Sequence, residues 1–227
     1  MRSKSALLGV AAAAAFSSAA ISASLAATCP TMAPLSSYLT GGTITSCTVQ
    51  DKTFSNFRYA PHNTIAASQV TVLTLLGANN PGLTFSGNWS EGAGATGDFT
   101  LIFEVQAPAS HPIIDHTVAF TGHATRTADG AAGSIVEDES LTLTPGSPPP
   151  LNAHATITAG GANPGILLNF APATTVTVTE DVLLRGPETL SAISKRFSET
   201  SVPEPASLAL IGIGLGALAA VRRRKRR

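Results

Sequence analysis

The chain has 227 residues, of which 44% are hydrophobic, 5% aromatic and only 12% charged, a composition that permits one core of ordinary size plus processing segments and reads as a small-residue-rich extracellular β protein. Its formal net charge of zero hides three unlike segments: +2 up to Ala27, −7 between Thr28 and Ser201 where six basic residues face thirteen acidic ones, and +5 from Val202 onward. The acidic centre excludes nucleic acid as a partner, since phosphate binding needs a basic surface.

At the N-terminus, Arg2 and Lys4 precede a small and apolar run from Ala6 to about Ala23, followed by Ser24-Leu25-Ala26-Ala27. This layout predicts a signal peptide over residues 1–27, cut by signal peptidase after Ala26 or Ala27. Thr28-Cys29-Pro30 stops any helix at that point.

Residues 28–200 are expected to form one exported domain. Cys29 and Cys47, the two cysteines of the chain, are expected to pair as a disulfide in an oxidising periplasm. Closing a loop of about 19 residues contributes roughly 3 kcal/mol on the chain-entropy model. Period-two alternation then recurs, and helical periodicity is almost absent. Strands are expected near Phe54–Tyr59, Gln69–Leu76, Leu83–Trp89, Asp98–Ala107, Ile113–Phe120, Ser134–Leu143, Ala153–Ala159, Ile166–Phe170 and Thr174–Leu184. The last of these carries Val176, Val178, Val182 and Leu184 on one face, interrupted by Glu180. Ser191–Phe197 fits a final strand or one helical turn. Asn79-Asn80-Pro81-Gly82, Glu91–Gly97, Pro145–Pro150 and Gly160–Gly165 mark joins. No repeat of solenoid length is visible. The fold class expected is all-β, a single antiparallel β-sandwich of jelly-roll-like arrangement.

Candidate chemistry inside this domain is sparse. The histidines are His62, His111, His116, His123 and His154. His111, Asp115 and His116 invite a metal reading, yet Asp115 and His116 face opposite ways in a strand. Glu137 and Glu139 share a face and have the oxygen chemistry of a Ca²⁺ site, but a solvated strand face or turn is the simpler reading. Glu180 and Asp181 have the chemistry of a glycosidase pair, without the required separation established by adjacency. Trp89 is either a sugar-stacking platform or core, and its place beside Leu83 and Phe85 favours core. No nucleophile elbow, zinc-binding helix or phosphate loop occurs, so no catalytic residue, metal or cofactor is expected.

The C-terminal segment is more informative. In Ser201-Val202-Pro203-Glu204-Pro205 the two prolines favour extended backbone, suited to a protease or transpeptidase. Ala206–Val221 is apolar after Ser207, and sixteen residues as helix cover about 24 Å of a hydrocarbon core about 30 Å thick. Arg222, Arg223, Arg224, Lys225, Arg226 and Arg227 follow, a stop-transfer block that keeps the C-terminus cytoplasmic and leaves the body of the protein outside.

The order Val-Pro-Glu-Pro, apolar Gly- and Ala-rich span, terminal arginine cluster resembles the PEP-CTERM sorting signal over residues 201–227. The resemblance implies recognition of Pro203, Glu204 and Pro205 by an exosortase, with cleavage near them. It also implies a Gram-negative host that makes exopolysaccharide, a transient inner-membrane anchor, and delivery to the cell surface or extracellular matrix. Cys47–Tyr59 resembles the opening of an ectodomain type recurrent among PEP-CTERM proteins, which implies no known activity. The expectation is a non-enzymatic surface or matrix protein. A carbohydrate-binding module acting on exopolysaccharide and a secreted hydrolase are the other two readings.

Overall fold

Alternation makes the strands, because successive residues of extended backbone face opposite ways and each strand buries one of its two sets. The computed structural model describes residues 26–62, 65–145, 150–159, 161 and 165–199. The expected signal peptide through Leu25 and the whole sorting segment, with its expected span 206–221, lie outside the described residues. Among the described residues, no helix is long and apolar enough to cross a membrane.

Three short strands open the fold: β1 (Ala27–Thr28), β2 (Met32–Pro34) and β3 (Ser46–Val49). Ten more follow: β4 (Lys52–His62), β5 (Thr71–Leu75), β6 (Gly82–Glu91), β7 (Thr96–Gln106), β8 (Ile113–Ala124), β9 (Ser134–Thr144), β10 (Leu151–Thr158), β11 (Gly165–Ala173), β12 (Thr175–Arg185) and β13 (Glu188–Glu199). The nine strands expected from alternation are present with ends shifted by a few residues, and the undecided segment around Ser191–Phe197 is strand.

The strands form two sheets, ordered β1-β3-β4-β7-β12-β9-β10 and β11-β8-β13-β6-β5-β2. The expectation of antiparallel pairing throughout fails at one place: β1 runs parallel to β3, with Ala27 opposite Cys47 and Thr28 opposite Thr48. The cause is local. The Cys29–Cys47 disulfide, Cα–Cα 4.7 Å, and a hydrogen bond from Cys29 N to Thr48 O (2.8 Å) lay the N-terminal segment along β3 before it crosses to the other sheet.

Between the sheets lies an aromatic core. Phe54 and Phe103 of one sheet meet Phe85 and Phe197 of the other at centroid distances of 5.6 to 6.3 Å. Trp89 stacks on Phe99 at 4.9 Å and donates from Nε1 to Tyr59 Oη at 3.1 Å. Close approach of β6 and β13 depends on Gly82, where a Cβ would lie 1.9 Å from the Lys195 carbonyl oxygen.

Candidate functional site

Five ionisable side chains occupy core positions in phase with apolar neighbours. On β9 the buried set is Ile135, Glu137, Glu139 and Leu141, and on β12 Glu180 stands between Val178 and Val182. From the facing sheet, β8 contributes His116 and β13 contributes Lys195, set between Ile193 and Phe197. All five are 0–2% exposed. Glu139 and Glu180 are direct cross-strand partners, a placement that two carboxylates reject unless a proton or cation intervenes.

Lys195 supplies that cation. Its ammonium hydrogen-bonds to Glu139 Oε2 and lies 3.0 Å from Glu180 Oε2 and 3.7 Å from Glu137 Oε1. The approach to Glu180 is close but not directed, so neither Glu180 oxygen has a hydrogen bond. His116 completes the cluster: Nε2 is 3.1 Å from Glu139 Oε2, Nδ1 donates to the Arg196 carbonyl at 3.1 Å, and the ring stacks on Phe197 at 4.5 Å.

One ammonium cannot neutralise three carboxylates in a dry interior, so protonation divides unequally among them. Burial pushes Glu137 up to about 8 against the attraction of Lys195, and the charges of Glu180 and Glu139 add to the rise. Burial likewise lifts Glu180 to about 7. At Glu139 burial also opposes the charged form, but the charges of Lys195 and His116 outweigh it and hold the carboxyl down at about 2. At Lys195 the three carboxylates overcome desolvation and raise the ammonium's pKa.

A second lysine–carboxylate cluster closes one end of the sandwich. Gln50 takes the left-handed region (φ 56°) in the turn from β3 to β4, which brings Asp51 beside Lys52. The fully buried Lys52 ammonium donates to Asp51 at 2.7 and 2.8 Å, and across the sheets to Glu199 Oε2 at the end of β13. Burial works against the Asp51 charge, but hydrogen bonds with Glu199 and Lys52 and the lysine's charge lower its pKa. Gln50, Asp51, Ala78, His111 and Glu199 line an open pocket of about 220 Å³ here. At the other end, Glu188 is buried, and its Oε1 accepts from the Glu91 backbone N–H at 3.0 Å. Desolvation, with the Glu91 charge adding, pushes Glu188 up to about 7.

The structure separates the residues that sequence grouped. His116 enters the core, while His111 stays exposed in the β7–β8 loop and bonds Ser110. Glu137 and Glu139 are not on a solvated face, as expected, but inside, where Lys195 supplies their positive partner. Glu180 is buried, while Asp181 faces outward and accepts from Thr100 Oγ1 at 3.3 Å. Trp89 is core, 1% exposed. Among the described residues, no group of three or more His, Cys, Asp or Glu is arranged to hold a metal ion. Pro203, Glu204, Pro205 and the basic tail lie outside the described residues, whereas Ala26 immediately precedes β1 and Ala27 is its first residue. Sequence reasoning missed Lys52, Lys195 and Glu199, although the phase of Lys195 with Ile193 and Phe197 carried a signal.

Fold and site define an all-β, two-sheet sandwich whose ionisable clusters bridge its sheets. Residues 201–226 match the family model described as the PEP-CTERM protein-sorting motif. The motif implies an exported protein sorted to the cell surface by an exosortase. No curated protein matches the chain. Among solved structures, it is similar to the carbohydrate-binding module TmCBM61 in complex with β-1,4-galactotriose, at 14% identity and a TM-score of 0.33, covering 62% of this chain and 88% of that one. It is also similar to the family 11 carbohydrate-binding module from Clostridium thermocellum with a mixed-linked tetrasaccharide, at 8% identity and a TM-score of 0.27, covering 66% and 90%. At these scores the likeness carries no argument about function.

Proposed function

We propose that the chain is a surface or extracellular-matrix protein that works without catalysis, exported with a cleavable leader and processed by an exosortase. The observation that carries this reading is the PEP-CTERM match over residues 201–226. In this reading, signal peptidase cuts after Ala26 or Ala27. The span 206–221 then holds the chain in the inner membrane, with Arg222–Arg227 on the cytoplasmic side. Exosortase recognises Pro203-Glu204-Pro205 and releases the sandwich toward the exopolysaccharide. The non-catalytic part is supported by the sealing of Glu137, Glu139, Glu180, His116 and Lys195, whose side chains reach no solvent and so no substrate. A sugar platform at Trp89 is no part of this reading, because the indole packs on Phe99 inside the core.

Intact mass and C-terminal peptide mapping of protein recovered from cells with and without the sorting enzyme test the proposal. The expected end lies near Pro203-Glu204-Pro205 when the enzyme is present and at Arg227 when it is absent. An Arg227 terminus on surface protein from enzyme-containing cells contradicts it.

A further inference from the structure

The chain leaves toward residue 200 at one end of the sandwich, the exit end. Loops from both sheets converge on it. Glu199 N donates to Asn79 O at 3.2 Å and Phe197 N to Pro81 O at 3.0 Å, which ties the end of β13 to the β5–β6 loop. The Lys52–Glu199 bond joins the same point to the β3–β4 turn. The N-terminal segment crosses between sheets here as well, since Thr74 N donates to Thr31 O at 3.2 Å and Met32 stands opposite Leu73.

This end carries two large exposed apolar side chains among polar neighbours. Met32 (65% exposed) and Leu76 (73%) lie on these adjoining segments, and they are two of the three large hydrophobic side chains left exposed among the described residues. Ala78, Pro108 and Ala109 are exposed beside them. Of the acidic groups at this end, Asp51 and Glu199 are both held by Lys52, Asp115 lies cross-strand from Ser198, and Arg196 adds one cation, its Nη1 bonded to Asn80 O at 3.0 Å. The opposite end, by contrast, displays Glu91, Arg126, Asp129 and Arg185.

Chain length names the occupant. Six residues, Thr200 to Pro205, separate Glu199 from the apolar run that starts at Ala206. Even fully extended they reach only about 20 Å. A domain with a formal net charge of −7 is repelled by an anionic lipid surface, but a tether this short holds the exit end close to the lipid whatever the rest of the domain prefers.

We propose that Met32, Leu76 and the loops around them form a membrane-apposed face that rests on the lipid interface while the uncut chain is anchored. The proposal rests on the reading of 206–221 as a span. Apposition keeps Pro203-Glu204-Pro205 at the membrane surface, and the Lys52 clamp fixes the point from which that peptide leaves the folded body.

The test uses the full-length uncut chain in vesicles of phosphatidylethanolamine and phosphatidylglycerol that carry a headgroup-level nitroxide quencher. Fluorophores are placed singly through Ala78→Cys and Ala109→Cys at the exit end, and through Ala93→Cys and Ala128→Cys at the opposite end. Most of the fluorescence is expected to be lost at 78 and 109 and none at 93 and 128. Adding Met32→Asp and Leu76→Asp should restore the signal at 78 and 109 while the chain stays in the vesicles. Equal quenching at all four sites, or none, with the chain still in the vesicle fraction, overturns the apposed face and leaves the sorting reading standing. Quenching at 78 and 109 only when exosortase is added assigns the face to the enzyme instead of the lipid, which also overturns the proposal. A chain absent from the vesicle fraction removes the span and this proposal with it.

Discussion

The two lysine–carboxylate clusters use the same chemistry in unlike surroundings. In each, a fully buried ammonium ties the two sheets together through carboxylates: Lys195 reaches three on the facing sheet, and Lys52 reaches Glu199 across the sheets. The central cluster sets three carboxyls against Lys195 with no solvent contact, and burial pushes Glu137 and Glu180 to about 8 and 7. The exit cluster sets two against Lys52 beside open solvent, and Asp51 is shifted downward instead. Access to water and the number of carboxyls per ammonium decide which groups stay charged, more than residue identity does.

The comparison breaks most sharply at Lys195. Lys195→Met removes the ammonium from Glu139 in the core and leaves His116 as its remaining partner, and the expected loss is about 3–5 kcal/mol in urea unfolding. Adding Glu139→Gln to Lys195→Met should recover much of that loss, because it removes the stranded charge. A Lys195→Met protein as stable as the parent would mean that the cluster is not sealed.

Removing the disulfide has the next largest effect. Cys29→Ser with Cys47→Ser is expected to cost roughly 3 kcal/mol through loop entropy alone. The loosening should begin at β1 and β3, and hydrogen exchange at the Cys29 amide, bonded to Thr48 O, reads it directly.

The pH dependence sharpens the contrast. Glu137 and Glu180 have raised pKa values in the folded protein, so it holds protons there that the unfolded chain releases above pH about 4.5. Their stabilising contribution is complete below that pH and is lost as pH climbs through about 7 and 8, by at most about 1.4 kcal/mol per pH unit for each proton. Glu139 has the opposite sign: its contribution is present above about 4.5 and disappears as pH falls toward 2. Thermal midpoints should therefore be highest in mildly acidic buffer and decline toward pH 9. Glu137→Gln should flatten the alkaline limb, and an unchanged slope would contradict the assignment.

The smallest effect belongs to the exit cluster. Lys52→Met is expected to cost about 1 kcal/mol, because solvent screens Asp51 and Glu199. In cells, the same substitution should change the rate at which the C-terminus is cut, measured by pulse-chase.

Much of this architecture is legible in the sequence because strand burial repeats every second residue. Phe99, Leu101, Phe103 and Val105 announce β7, and Val176 to Leu184 announces β12. Glu180, Glu137, Glu139 and Lys195 keep that same phase, so their burial is written in the pattern. What hides it is the rule that charged residues face water, which fails where partners from another sheet meet them. Those partners lie on other strands, such as His116 at 23 and Lys195 at 56 positions from Glu139, a separation no local pattern reports. Strands β1 and β2 are hidden for a different reason: with two and three residues they are too short to set a period, and they are held by pairing and the neighbouring disulfide. The sorting motif is the reverse case, a linear signal that needs no fold to be recognised.

Carboxyl-carbon NMR titration of the folded protein tests the sealed central cluster most directly. The expected result is that Glu139 stays ionised down to about pH 2 while Glu137 and Glu180 remain protonated past pH 6. Titration of all three near pH 4.5, as for glutamates open to water, would contradict the account.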